Sequence, residues 1–208
     1  MKKLIAIGWM TVLLSGCSFL YGGGEEPMGD SSVVDVTSSE DTWEVAPFEG
    51  VTQDGSPISD ESLEGEWWIS KTVFTRCPTV CNTMTPNMKK LQDAIQDRDL
   101  PIRIVSFTVD PDFDTPERLE DYLEAYEGDG DTWDFVTGYS DEEIESYVDE
   151  TYRASIAPLP EQDDIMHPTR FYLAGPDGHL VRMYSGDESF DLDDTIEDLE
   201  QVVTESSD

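Results

Sequence analysis

The chain has 208 residues, of which 47 are acidic and 12 are basic, and its formal net charge is −35 at pH 7. A surface this negative argues against nucleic acid and anionic lipid headgroups as partners. We interpret the charge as an adaptation to a salty or alkaline exterior, where salt screens self-repulsion. The length fits a short leader followed by one domain with a sizeable core.

Residues 1–17 are typical of a lipoprotein signal peptide. Lys2 and Lys3 precede the apolar run LIAIGWMTVLL, which is short for a membrane span, and small residues precede Cys17. This ending resembles a bacterial lipobox, whose cysteine becomes the lipidated first residue of the mature protein. We expect an exported protein that is anchored through Cys17 to the extracytoplasmic face of the bacterial cell membrane. A plain signal peptide or a short anchor helix, with an incidental cysteine, is the alternative.

Residues 18–42 are rich in glycine, serine and acidic residues and show no apolar period. This composition predicts a flexible tether, so that the folded domain spans 43–208. No internal repeat is found within it.

The domain alternates between strand and helix patterns. A hairpin turning at Asp54-Gly55 comes first. The elements predicted after it are a strand at 67–74, a helix at 79–97, a strand at 102–109, a helix at 116–127, a strand in WDFVTG, a helix at 141–150, a hairpin over 169–184 and a helix at about 191–204. Thr115 is the predicted N-cap of the helix at 116–127, and Ser140 that of the helix at 141–150. This order predicts a layered α/β domain around a central sheet.

Two cysteines, Cys77 and Cys81, stand four positions apart with Pro78 after the first. The proline places Cys77 just before the helix, with Cys81 about one turn inside it. Unpaired N–H groups at a helix start lower a thiol pKa, and Arg76 adds a cation nearby. On a regular helix Cβ atoms four residues apart lie about 5–6 Å from each other, too far for an unstrained disulfide. The pattern favours a reactive or metal-binding pair over a structural bridge.

Two thiolates need a further donor to hold a soft metal ion well. The chain has two histidines, and His179 lies in a predicted hairpin turn that faces solvent. His167 lies directly before a predicted strand, where it can reach the end of the sheet, although a purely structural role is equally consistent with that place. A set of two cysteines and one histidine suits copper, whereas structural zinc normally takes four protein ligands. Met84 and Met88 follow the apolar stripe of the helix, which favours core packing over copper binding.

Asp110 and Asp114 follow the second buried strand, in VDPDFDTPE. Loops after the carboxyl ends of strands form the sites of many α/β proteins. Turn formation and helix capping are the alternative interpretation of these two acids.

At this point the chain closely resembles the Sco (SenC) family of copper-binding assembly proteins for cytochrome c oxidase. The resemblance rests on VFTRCPTVCNTMTPNM, IRIVSFTVDPDFDTPERL, DFVTGYS and HPTRFYLAGPDGHLVRMYSG, in the family's order and spacing. It implies a thioredoxin-like fold with a central mixed sheet flanked by helices, an N-terminal β-hairpin extension and a further hairpin insert.

The resemblance also implies roles for individual residues. Cys77, Cys81 and His167 match the ligands of copper, as Cu(I) or Cu(II). Asp110 and Asp114 match the family's DxxxD pair, which influences copper and redox behaviour without binding the metal. A proline at position 86 resembles the one that kinks the active-site helix of thioredoxins.

The chain departs from many relatives at HPT, which looks like the cis-proline position of thioredoxins. We hypothesise a cis bond between His167 and Pro168, which would keep thiol–disulfide exchange open beside copper binding.

The leading functional hypothesis is a metallochaperone that supports assembly of the Cu(A) centre in subunit II of cytochrome c oxidase. The alternative is an exported thiol–disulfide oxidoreductase that reduces cysteines of subunit II or of other exported thiol proteins. In that case Cys77 and Cys81 are the catalytic redox pair. The presence of His167 favours copper, because dithiol exchange does not require it.

Overall fold

The computed structural model describes residues 32–37, 42–161 and 163–205. The predicted signal peptide, the lipidation site at Cys17 and most of the predicted tether lie outside the described residues. Within those residues, no helix is both long and apolar enough to cross a membrane.

The described chain contains ten strands. They are β1 (Val33–Asp35), β2 (Glu49–Thr52), β3 (Pro57–Ser59), β4 (Trp67–Val73), β5 (Ile102–Thr108), β6 (Trp133–Thr137), β7 (Ala157–Leu159), β8 (Asp164–Met166), β9 (Arg170–Ala174) and β10 (Leu180–Ser185). The hairpin predicted at Asp54-Gly55 is β2–β3, and the predicted C-terminal hairpin is β9–β10.

Four α-helices accompany these strands. They are α1 (Cys81–Asp97), α2 (Pro116–Ala125), α3 (Asp141–Tyr152) and α4 (Leu192–Glu205), with a short 3-10 helix at Glu61–Leu63. The predicted caps of α2 and α3 are confirmed. The Thr115 side chain accepts a hydrogen bond from the backbone N–H of Arg118, and Ser140 forms a reciprocal capping box with Glu143.

Eight of the described strands form one mixed sheet in the order β1-β10-β9-β4-β5-β6-β2-β3. The central strands β4, β5 and β6 are parallel, and the neighbouring pairs outside them are antiparallel. β7 and β8 form a separate hairpin. The predicted α/β class, with a central sheet flanked by helices, is confirmed, and the N-terminal hairpin extends that sheet beside β6.

Strand β4 lies in the middle of the sheet, and all seven of its residues are buried. Because side chains alternate along a strand, it serves both faces of the sheet. Ser70 accepts a hydrogen bond from the hydroxyl of Tyr152 in α3 at 2.8 Å. The next residue, Lys71, donates to Thr85 in α1, also at 2.8 Å. α3 and α1 therefore pack on opposite faces of the sheet.

The predicted boundary between tether and domain requires a correction. β1 lies inside the segment predicted as tether and pairs with β10 from Val33 to Asp35. Val36, which follows it, is buried in the core. The apolar residues of this segment, Val33, Val34 and Val36, are too few to give a detectable period. The segment Val33–Asp35 becomes a strand because it pairs with the edge of β10.

Helix α1 also starts later than its apolar stripe indicates. Its first residue is Cys81, whereas the sequence placed that residue about one turn inside. The segment between Cys77 and Cys81 forms turns instead, and the backbone carbonyl of Val80 accepts the first helical hydrogen bonds. Pro86 lies inside the helix, as the resemblance implied.

Removing β1 should destabilise the domain. We expect residues 42–208 to unfold with a free energy about 2 kcal/mol lower than residues 30–208, because the shorter chain loses the burial of Val36 and the pairing to β10. Urea unfolding followed by circular dichroism measures the difference. The point variant Val36→Ser in the longer chain should shift stability in the same direction. Equal stability of the two chains would show that β1 contributes nothing to the domain.

Candidate metal centre

Three segments meet at the carboxyl end of β4. Cys77 lies in the turn that follows β4, and Cys81 is the first residue of α1. His167 lies in the short link between β8 and β9, and β9 is the antiparallel neighbour of β4. The antiparallel pairing of β4 with β9 thus brings together residues that are almost ninety positions apart in sequence.

The potential ligand atoms of Cys77, Cys81 and His167 all lie within 4.8 Å of one another. His167 Nε2 is 3.6 Å from the sulfur of Cys81, and the backbone N–H of Cys81 points at the sulfur of Cys77 at 3.4 Å. All three side chains are buried, and neither thiol is in a disulfide. The arrangement offers two sulfurs and one imidazole nitrogen to a single ion.

The imidazole of His167 is oriented by Thr72 in β4. The Thr72 hydroxyl donates to the backbone carbonyl of Pro168 at 3.1 Å, so its oxygen can accept from Nδ1–H of His167, 2.9 Å away. This pairing places the ring proton on Nδ1 and leaves the lone pair of Nε2 directed at the sulfurs. The ring also packs edge-on against Phe74, with centroids 5.8 Å apart.

The two thiols have opposite acidities. The pKa of Cys77 lies far below its usual range, chiefly because Cys81 hydrogen-bonds to its sulfur. The pKa of Cys81 is raised by the same bond and by burial. In the metal-free pair the charge therefore resides on Cys77, as the prediction of a reactive helix-start thiol requires.

Asp114 ties the loop after β5 to the turn before the cysteines. Its buried carboxylate accepts hydrogen bonds from the hydroxyls of Thr108 and Thr75 and, at 3.1 Å, from the backbone N–H of Thr75. Burial raises the pKa of Asp114, and the bonds from Thr108 and Thr75 oppose that rise. Asp114 acts on the cysteine turn through the backbone, two residues before Cys77.

Asp110 pairs with Arg76, and this corrects one expectation. The guanidinium Nε donates to the Asp110 carboxylate at 2.6 Å, and the guanidinium also lies over the ring of Phe113. The sequence placed Arg76 as a cation beside the thiolate of Cys77. Its charge is instead matched by Asp110 outside the cluster. Asp110 and Asp114 therefore both stabilise the turn before Cys77, through Arg76 and Thr75.

The hypothesis of a cis bond between His167 and Pro168 is wrong. No peptide bond among the described residues is cis. The backbone that follows this bond is held in place, because the Pro168 carbonyl accepts from Thr72 and the Thr169 carbonyl accepts from the N–H of Gly186. HPT therefore differs from the thioredoxin pattern despite its sequence.

The other potential donors lie elsewhere. Met84 and Met88 are fully buried in the core, as their spacing predicted. His179 contacts Asp177 and Glu44 at the β9–β10 turn. Sequence reasoning missed Thr72 and did not separate Lys71 from the other basic residues. Both are polar residues inside an apolar strand, and that incongruity is the signal that could have found them.

Comparison with known proteins places this geometry in a family. The family description SCO1/SenC matches residues 36–204. The chain belongs to the SCO1/SenC family. The predicted thioredoxin-like fold of that family is thereby confirmed for this domain, since its described structure aligns with family members along nearly their whole length.

Three solved Sco structures are similar to this chain. A SCO1/SenC family lipoprotein from Bacillus anthracis is 35% identical with a TM-score of 0.73, covering 77% of this chain and 95% of that one. BsSco, a Sco-family cytochrome c oxidase assembly protein with a disulfide switch, is 40% identical with a TM-score of 0.72, covering 78% and 95%. Bradyrhizobium japonicum ScoI with copper bound is 25% identical with a TM-score of 0.63, covering 76% and 98%.

Titration of Asp114 should be visible in the stability of the domain. Because the pKa of Asp114 is raised in the folded protein, the folded state binds the proton more tightly than the unfolded state. Stability therefore falls as pH rises from the unfolded-state pKa of this carboxyl through its folded-state pKa. Relative to Asp114→Asn, the wild-type free energy of unfolding should therefore increase as pH is lowered from neutral towards about 4.

Urea unfolding at several pH values tests this expectation. Asp112→Asn, an exposed position in the same loop, is the control for the general loss of one carboxylate from an acidic protein. The raised pKa would be contradicted if the free energy of unfolding of wild type, relative to Asp114→Asn, decreased as the pH is lowered.

Proposed function

We propose that this protein binds one copper ion through the sulfurs of Cys77 and Cys81 and Nε2 of His167, and that it serves the assembly of cytochrome c oxidase. The observation that carries the proposal is the buried cluster in which these three donor atoms lie within 4.8 Å of one another. The copper-bound relative and the oxidase assembly protein BsSco, both in the same family, support it.

The donor set fits copper better than other common metals. Thiolates favour Cu(I), and imidazole together with thiolate also accepts Cu(II). A structural zinc site normally has four protein ligands, and the cluster in the described residues has three. Bound copper supplies a redox-active centre, and the protein supplies its ligands and their surroundings.

The chain's own residues prepare the ligands. Cys77 already holds the thiolate charge, so that metal binding has to release the proton of Cys81 only. Thr72 keeps the proton of His167 on the nitrogen that faces away from the sulfurs. Burial of the cluster limits the access of water and oxidants to the thiols.

We further infer the recipient and the location. The copper is destined for the Cu(A) centre of subunit II of cytochrome c oxidase, which this protein contacts on the extracytoplasmic side. A lipid on Cys17 anchors the chain to the cell membrane there. The lipobox-like ending LSGC and the lipoprotein relative from Bacillus anthracis support this location.

Copper titration of residues 30–208 tests the ligand set. We expect the fully reduced protein to bind one Cu(II) per chain with a thiolate-to-copper charge-transfer band. Cys77→Ser, Cys81→Ser and His167→Ala should each lose the band or weaken the affinity by at least about a hundredfold, since each removes a ligand. His179→Ala is the matched control and should bind like wild type. A band indifferent to His167→Ala would remove His167 from the ligand set, and the absence of any band in wild type would remove copper from the proposal.

Thr72→Val should weaken copper binding without removing a ligand. The variant keeps the shape of the side chain but loses the hydroxyl that holds Nδ1 of His167, and loss of such a partner typically lowers metal affinity by about 10–100-fold. Competition with a copper chelator measures the affinity. Ser70→Ala is the control, because it loses a buried hydroxyl two residues away in the same strand. Equal affinities of the two variants would mean that Thr72 does not orient the imidazole.

A thiol–disulfide oxidoreductase is a second candidate function. It is favoured by the contrast between Cys77, which is charged and 9% exposed, and Cys81, which is protonated and 2% exposed. The Cys77 thiolate would attack a partner disulfide and expel one partner sulfur, which takes up a proton. Cys81 would then lose its proton and attack Cys77, releasing the second partner thiol. Two electrons pass to the partner, and Cys77 and Cys81 end as a disulfide.

Trapping distinguishes this activity from copper binding. Cys81→Ser should accumulate a mixed disulfide with the oxidised soluble domain of subunit II, because the resolving thiol is missing. Cys77→Ser should accumulate none. The His167→Ala variant should reduce the partner as wild type does, whereas its copper binding should be lost. Absence of a mixed disulfide in Cys81→Ser would argue against the reductase.

A further inference from the structure

Lys71 is a cation buried beneath the cysteine cluster. It lies in the centre of β4, has no exposed surface and is among the largest fully buried side chains of the described structure. Its ammonium donates a hydrogen bond at 2.8 Å to the hydroxyl of Thr85, which lies one turn after Cys81 in α1. Lys71 thus touches the underside of the helix that begins with a proposed copper ligand.

Among the described residues, no carboxylate forms a salt bridge with this ammonium. Its Nζ lies 5.9 Å from the ring centroid of Trp133 and 6.0 Å from that of Phe135. Aromatic faces attract a cation only weakly compared with a carboxylate. In a protein with so many acidic residues, an unpaired buried lysine needs another source of negative charge.

The thiols of the cluster are that source. Burial lowers the pKa of Lys71 to about 8, and attraction to Cys81 and Cys77 opposes the fall, so the side chain carries its charge at neutral pH. The same attraction lowers the pKa of Cys81 against the effects that raise it.

Charge counting shows which state of the cluster the lysine matches. Two thiolates, a neutral imidazole and Cu(I) carry one net negative charge, which Lys71 neutralises. The same ligands with Cu(II) carry no net charge, and Lys71 then leaves one positive charge in the interior. A disulfide likewise leaves the lysine without an anion. An uncompensated charge in a low-dielectric interior is unfavourable, so the lysine favours the Cu(I) complex over the other two states.

We propose that Lys71 is a positioning residue that acts electrostatically. Its buried ammonium favours binding of Cu(I) over Cu(II) by the cluster of Cys77, Cys81 and His167. The inference rests on the proposed copper site and adds to it the oxidation state that the protein prefers to hold. A role limited to packing is less consistent with the fully buried position of Lys71, because an unbranched apolar side chain would fill the same space without the cost of burying a charge.

The variant Lys71→Met tests the proposal. Methionine has a similar length and no charge, and Thr85 keeps the hydroxyl of Tyr122 as a partner at 2.9 Å. We expect the ratio of Cu(I) affinity to Cu(II) affinity to fall by roughly tenfold, as one unit charge acting at an effective dielectric constant of about 20 would produce. The ratio is informative because both ions displace the same thiol protons. Competition with Cu(I)- and Cu(II)-selective chelators under anaerobic conditions, using residues 30–208, measures it.

Metal-free stability gives an independent result. In the metal-free disulfide form the lysine has no anion, so the variant removes a buried unpaired charge and its thermal midpoint should be equal to or higher than that of wild type. Lys90→Met is the matched control, since it removes an exposed lysine from α1 and should change neither the affinity ratio nor the midpoint.

The outcomes separate the two proposals. Wild-type protein that binds neither ion would overturn the copper site itself. Wild-type binding with an unchanged affinity ratio in Lys71→Met would overturn the role of Lys71 alone. A lower thermal midpoint together with an unchanged ratio would show that the lysine is structural.

Discussion

The buried strand β4 imposes the constraint on which the rest of the site depends. It lies between a parallel and an antiparallel neighbour, so its polar side chains cannot reach water and need partners within the protein. Ser70 finds one in α3, Lys71 in α1, and Thr72 in the link that carries His167. Each of these bonds fixes one of the surrounding segments against the sheet. The position of the site is well defined because three consecutive polar side chains of β4 are hydrogen-bonded to the segments around it.

Two aspartates continue this rigidity beyond the end of β4. Asp114 holds the turn through Thr75, and Asp110 holds it through Arg76. Both therefore act on Cys77 along the backbone, and neither lies in the ligand cluster of the described structure. The structure thus connects both aspartates to the position of the Cys77 sulfur without direct contact, because that position depends on the turn.

The sequence predicted the α/β order and the helix caps, because periodicity and capping residues are local signals. The meeting of Cys77, Cys81 and His167 was implied by the resemblance to a family, since the residues alone left a structural role for His167 equally open. Partner choice was not predictable in the same way. From its position in the chain, Arg76 was expected to lie beside the thiolate of Cys77. In the structure its guanidinium pairs with the carboxylate of Asp110 instead. β1 was missed because an edge strand depends on its neighbour. The cis bond at Pro168 was wrong because a three-residue likeness does not determine backbone geometry.

Lys71 also explains why the strongly acidic composition says little about the chemistry of the cluster. Most of the acidic side chains lie at the surface, where salt and water screen them within about 10 Å. The lysine acts from inside, where the effective dielectric constant is lower and counter-ions cannot enter. One buried cation next to the thiols can thus outweigh many exposed anions in determining which charge state is favoured. The surface charge of such a protein can then differ between habitats while the electrostatics of the proposed copper ligands stay the same.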